Sequence, residues 1–270
     1  MSEITKPIAL DETLQRIATV LENQNNGTWR TGIRNQSLGS SFTPAQQEAL
    51  RNDDMSEFWN GDFWEINNIH WRIVDNTGVA RKKNGFDSPS LIIMPDENII
   101  AAEAFLIDNA NDSGHGYKDC AYRTRTDGKG RAACRTIVNN AFGSSHVAAH
   151  HELLSTSRAA SGAQSWAWTA STDTNGDADV ELPSEANIYG HGVFGLSKDG
   201  GAGGYNEGIN WGQFMLFRLD PSRAINGTNY WLRDVVSASG FAIVDGHGHA
   251  NDNAPSHAAV GLRPYFILIG

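Results

Sequence analysis

Tyr230-Trp231-Leu232-Arg233-Asp234 opens the last stretch of the chain, and Gly261-Leu262-Arg263-Pro264-Tyr265-Phe266-Ile267-Leu268-Ile269-Gly270 closes it. Both are short runs of aromatic and branched residues, the composition of buried strand. Between them, from Ile243 to Ala258, the chain reads I-V-D-G-H-G-H-A-N-D-N-A-P-S-H-A. Asp245, His247, His249, Asn251 and Asn253 take alternate positions, with Gly246, Gly248, Ala250 and Asp252 between them. In an extended segment that spacing puts the five longer polar groups on one face. The small residues let the backbone lie flat on whatever is beneath. A polar segment between two apolar strands is either an ordinary solvated loop or a ligand-facing surface on a rigid scaffold.

Upstream, the pattern is one of many short elements. Phe63 to His70 alternates through Asn67-Asn68 and runs on into Trp71-Arg72-Ile73-Val74, which predicts two strands joined by a tight turn at the asparagines. Leu91 to Met94 predicts another strand, and Trp166-Ala167-Trp168 the core of a further one. Ala101 to Ile107 and Arg131 to Phe142 read as helices, the second with Ile137, Val138 and Phe142 on one side. Val147 to Ser157 reads as a third. Thr43, Pro44 and Gln46 form the signature of a capping box and predict a short helix there. Gly200 to Gly212 is a glycine-rich loop. Together these predict an α+β fold, a mixed antiparallel sheet with short helices and long loops.

Leu10, Leu14, Ile17 and Leu21 have the spacing of a heptad seam. The seam is too short to stand alone in water. Residues 1–26 are therefore expected as a helix, either docked on its own domain or assembled with sister chains or a larger particle. Residues 27–56 read as a connector and 57–270 as the main domain.

The formal net charge is −10, from 21 Lys+Arg against 31 Asp+Glu. Nucleic acid is not an expected partner, because phosphate contacts need a basic face. Hydrophobic residues make up 40%, enough for a core, and 28 Gly with 8 Trp point to a loop-rich fold with aromatic anchors. No apolar run reaches membrane-spanning length, so membrane insertion is not expected. Met1-Ser2-Glu3-Ile4-Thr5-Lys6 lacks the basic-then-apolar opening of a signal peptide. Cys120 and Cys134 are expected as reduced thiols of a protein assembled in a cytoplasm.

Asp173 to Glu181 reads D-T-N-G-D-A-D-V-E, oxygen side chains at alternate positions, as a calcium loop begins. However, Gly176 comes too early, Ala178 stands where glycine belongs and Ser184 takes the twelfth position. A solvated acidic loop is the expectation. His247-Gly248-His249, with His257 nearby, has a spacing that a transition metal would accept. Asp245, Asn251 and Asn253 beside it are not soft ligands, and no metal site is expected. His146 and His150 are four apart, but H-V-A-A-H lacks the glutamate of a zinc-protease helix. There is no G-x-S-x-G, phosphate-binding loop or C-x-x-C, so neither catalysis nor a cofactor is expected. A polysaccharide-degrading enzyme is the catalytic alternative, because its carboxylate pair has no sequence signature.

Several stretches in order resemble a known family. They are Gly61-Asp62-Phe63-Trp64, Leu91-Ile92-Ile93-Met94-Pro95-Asp96, and Glu181-Leu182-Pro183-Ser184-Glu185 with Ile188-Tyr189-Gly190. YWLRD, S-A-S-G-F-A-I-V and the closing G-x-R-P-x-F complete the set. From about Glu57 to Gly270 the chain resembles phage and prophage structural proteins of gut bacteria. Their C-terminal domain has a C-type-lectin-like fold, as in the phage major tropism determinant and the formylglycine-generating-enzyme superfamily. The redox cysteine pair of the formylglycine generators has no counterpart after Cys134, and neither Glu-Pro-Asn nor Trp-Asn-Asp of calcium-dependent lectins is present. The resemblance therefore implies the fold without those activities.

It further implies a virion protein, assembled in the host cytoplasm, of a fibre, tail tip or capsid decoration. The N-terminal helix would join other virion proteins or form a homo-oligomer such as a trimer. The C-terminal surface would meet a host-cell receptor or glycan. Tyr230-Trp231-Leu232 and Arg263-Pro264-Tyr265-Phe266 would be scaffold. Asp245, His247, His249, Asn251, Asn253 and His257 would be display residues, with Tyr205, Asn206, Asn210 and Trp211 as neighbours. A purely structural decoration or joining protein is the alternative. Changing the first adenine of an Asn codon gives Asp or His, so adenine-directed diversification of an Asn-rich template leaves this residue set.

Overall fold

The computed structural model describes residues 32–76, 88–101, 116–158, 164–193, 212–237, 240–253 and 260–270. The expected helix at residues 1–26, the helix at 101–107 beyond its first residue, and the glycine-rich loop through residue 211 lie outside them.

In chain order, helix α1 (Pro44–Arg51) is followed by strands β1 (Phe63–Ile66), β2 (Ile69–Asp75) and β3 (Ser90–Pro95). Helices α2 (Ala121–Thr124) and α3 (Arg131–Phe142) lead to β4 (Leu153–Arg158), β5 (Gln164–Trp168) and β6 (Val180–Glu181). Helices α4 (Glu185–Tyr189) and α5 (Met215–Leu219) precede β7 (Asn229–Ser237), β8 (Gly240–Val244), β9 (Ala250–Asn253), β10 (Val260–Gly261) and β11 (Tyr265–Ile269). The fold is α+β. A five-stranded antiparallel sheet has the order β1-β2-β3-β11-β6, and a four-stranded sheet the order β10-β7-β8-β9 with β10 parallel to β7. β4 and β5 form a separate ribbon.

Local chemistry explains several element boundaries. Asn67 and Asn68 both take left-handed φ, 56° and 61°, closing the two-residue turn in which Ile66 pairs with Ile69. Thr43 caps α1 in a full capping box with Gln46, and Pro44 occupies the first turn. α3 ends at Gly143, whose φ of 84° is open to glycine at little cost.

The central strands β3, β8 and β11, and most of β7, bury both faces. Leu91, Ile93, Trp231, Phe241, Ile243, Phe266 and Leu268 enter one core with Trp64 and Trp71. Their neighbours Ile92, Met94, Tyr230, Leu232, Ala242, Val244, Tyr265 and Ile267 enter a second. α3 covers the first core through Cys134, Val138 and Phe142, while α4 and α5 contribute Ile188, Leu216 and Phe217 to the second. Doubly buried strands read as unbroken apolar runs, which is why these stretches do not alternate. Tyr230, Trp231 and Phe266 are fully buried, as scaffold positions should be.

One of the expected helices needs correction. Val147–Ser157 is not a helix: Val147 bridges Leu268, His150 bridges Ala178, and β4 begins at Leu153. Its apolar residues come in adjacent pairs, which suit an extended chain buried on both sides. Trp166 and Trp168 lie on β5, the strand expected there, and Trp168 is 42% exposed on this two-stranded ribbon. Within residues 27–56, Phe42, Leu50 and Met55 enter the first core.

Candidate functional site

The polar segment after β8 is a hairpin tip, not one extended strand. Val244 pairs with Ala250, and residues 245–249 form the loop between β8 and β9. The Asp245 side chain accepts the backbone N–H of His247 at 2.8 Å and of His249 at 2.9 Å. Asp245 N donates to His249 O at 2.9 Å, and Gly248 N to Asp245 O at 2.9 Å. Burial works to raise the Asp245 carboxyl, but the two amides and the neighbouring imidazoles outweigh it and hold the carboxyl below its ordinary value. Asp245 is therefore spent on shaping its own loop, and the expected alternation of five groups on one face does not hold through the turn.

Two glycines seat the tip. A side-chain carbon at Gly246 would come within 2.9 Å of Gly227 O. Gly248 takes φ 86°, and a side-chain carbon there would come within 2.8 Å of Ile225 Cγ1. Asn229 Oδ1 accepts Gly246 N at 3.0 Å, and Tyr189 OH donates to Gly248 O at 3.2 Å.

What remains outward is a small set. His247 and His249 are exposed, their rings 6.1 Å apart and nearly parallel at 22°. Asn251 and Asp252 are exposed on β9, the edge of its sheet. β8 beneath is buried at every position. Asn253 ends β9, paired across from Phe241. Tyr205, Asn206, Asn210, Trp211 and His257 lie outside the described residues.

Beside the tip the fold makes a polar recess that pattern reading missed. A pocket of about 360 Å³ lies between Asp96 and Glu97 on one side and Asp220, Ser222, Arg223 and Asn226 on the other. A smaller one of about 160 Å³ continues past Asp96 and Glu97 to His70 and Asn68. Ile225 on the wall of the larger pocket is the residue against which Gly248 packs, so recess and hairpin tip are contiguous. The walls are fixed from within. Arg72 grips both Asp96 oxygens. Asp220 caps its own turn through Ser222 N at 3.2 Å and accepts Arg223 Nε at 3.2 Å. Asn226 Nδ2 donates to Asn98 Oδ1 at 3.2 Å, a contact between residues 128 apart in sequence. That separation is why the recess had no sequence signal. Each half reads only as turn chemistry, Pro95-Asp96-Glu97-Asn98 and Asp220-Pro221-Ser222.

The calcium-like stretch is part of a buried charge hub. Glu181 accepts from Arg131 at 2.8 Å, Arg123 at 3.1 Å and Tyr117 OH at 2.8 Å. Asp179 lies 2.5 Å from Arg135, Asp177 2.8 Å from His151 and Asp173 2.8 Å from Lys118. Its carboxylates thus face different side-chain partners rather than one centre. Among the described residues, no three of His, Cys, Asp and Glu cluster to hold a metal. Cys120 and Cys134 are buried and form no disulfide, and burial pushes the Cys134 thiol up to about 12. His146 packs on Phe42 and His150 is buried 3.6 Å from Glu152.

A buried carboxyl pair sits at the start of α4. Asp234 on β7 accepts the Glu185 backbone N–H at 2.6 Å, and Glu185 accepts Val193 N at 2.9 Å. Burial and the Glu185 carboxylate push the Asp234 carboxyl up to about 7, against the pull of Arg233. No described helix is long and apolar enough to cross a membrane. Comparisons with protein-family models, curated proteins and solved structures return no match.

Proposed function

We propose that this chain is a phage virion protein whose C-terminal domain is C-type-lectin-like and presents the β8–β9 hairpin to the host cell. The observation that carries the reading is the division within one hairpin. β8 is wholly buried, while His247, His249, Asn251 and Asp252 stand exposed on a loop that Asp245 and two glycines hold in shape. An exposed polar tip on a rigid body is how scaffolds carry recognition. Residues 1–26 serve assembly with other virion proteins or as a trimer in this reading, and the tip is a target of adenine-directed diversification. Attachment is tested by fluorescent capture of the full chain on a panel of gut bacterial isolates. The wild type is expected to label some isolates. A variant with His247→Ser, His249→Ser and Asn251→Ser is expected to lose that labelling at unchanged melting temperature; retained labelling contradicts the reading. Sequencing the gene across a phage population tests diversification, with variation expected to concentrate at positions 247, 249, 251 and 253.

A further inference from the structure

The recess between Glu97 and the Asp220–Asn226 turn has an uneven supply of unused chemistry. Asp96 is held on both oxygens by Arg72. Asp220 is occupied by Ser222 and Arg223. Arg263, also on the wall, is 3% exposed and donates to Pro95 O at 2.8 Å and Arg223 O at 3.2 Å. Glu97 differs: it is exposed, and it engages no other described side chain. Among the described residues that line the recess, both arginines are therefore already partnered, and the one uncommitted charge is a carboxylate. Such a site repels an anionic ligand, since a like charge brought to an unpaired carboxylate is unfavourable.

A carboxylate with open lone pairs accepts hydroxyl hydrogens, and two adjacent hydroxyls can address its two oxygens at once. Asn226 holds Asn98 through Nδ2, a primary amide with two N–H donors. Ile225, 51% exposed, adds an apolar patch for the C–H face of a ring. The volume of about 360 Å³ falls within the usual size of small-molecule sites. The walls stand in place through their own hydrogen bonds, so binding would need little ordering.

We infer that this recess is a subsite for a neutral sugar unit, held by Glu97 beside the hairpin tip and read together with His247 and His249. The inference rests on the attachment reading and narrows its receptor to uncharged glycan. The test is an array of immobilised neutral, sialylated and sulfated oligosaccharides probed with the full chain, followed by titration of the bound glycans. The wild type is expected to select neutral glycans. Glu97→Ala should weaken them about tenfold or more, the loss expected for a hydrogen bond to a charged group. Its melting temperature should not change, because Glu97 is exposed. Capture of acidic glycans only, a blank array, or Glu97→Ala binding within about twofold of wild type overturns the subsite. The two readings fail separately: if the serine variant abolishes cell labelling while the array stays blank, the hairpin keeps its role and the sugar subsite falls.

Discussion

Two stretches of this chain look alike on paper and differ in the fold. Asp173–Glu181 and Asp245–Asn253 both place polar side chains at alternate positions, mostly among small residues. In the first, Glu181 is fully buried among Tyr117, Arg123 and Arg131, and the aspartates are paired with Arg135, His151 and Lys118. In the second, one carboxylate shapes the loop, and His247, His249, Asn251 and Asp252 are exposed. The spacing of polar residues does not decide which is structure and which is display. The difference lies in whether cations from elsewhere in the chain arrive to meet them.

The comparison breaks hardest at Glu181. Replacing it with alanine leaves Arg123 and Arg131 buried without their shared acceptor, which should cost about 3–5 kcal/mol. Denaturant unfolding reads this directly; a loss within about 0.5 kcal/mol, the range of surface changes, would mean the hub is no more structural than the hairpin tip.

Asp234 sharpens the contrast through pH. Its folded value, about 7, lies above the ordinary 3.8, so its contribution to stability is full below 3.8 and is lost as pH rises through about 7. The slope should approach about 1.4 kcal/mol per pH unit within that window. Asp234→Asn keeps an acceptor for Glu185 N and should flatten the profile. An Asn variant with the wild-type slope, measured by melting across the window, would place the titration elsewhere.

Much of the body was legible because local rules agreed with the fold. The Asn67-Asn68 turn, the capping box at Thr43 and the helix Arg131–Phe142 stand where turn and cap chemistry put them. Trp231 and Phe266 could be read as core because their strands bury both faces. Val147–Ser157 was misread because its conformation comes from distant partners, Leu268 and Ala178. The site was legible only as a polar segment. Asp245 turns inward on amides only two and four residues away, which the alternating reading passed over, whereas the placing of Glu97 and Asn226 in one recess depends on contacts between remote segments.

Within the hairpin itself a smaller effect separates shaping from display. Asp245→Ala removes the acceptor for two loop amides and should cost about 1 kcal/mol, as the loss of a comparable cap does. His247→Ser should cost about 0.5 kcal/mol or less. Equal losses for the two would erase the distinction.

The central claim is that the tip is free to vary for folding and not for attachment. A saturation library at His247, His249, Asn251 and Asp252, sorted separately for protease-resistant folding and for capture by a labelled isolate, measures both at once. The account predicts that nearly all variants fold and that few are captured. A library in which folding is as restricted as capture, or capture as permissive as folding, would contradict it.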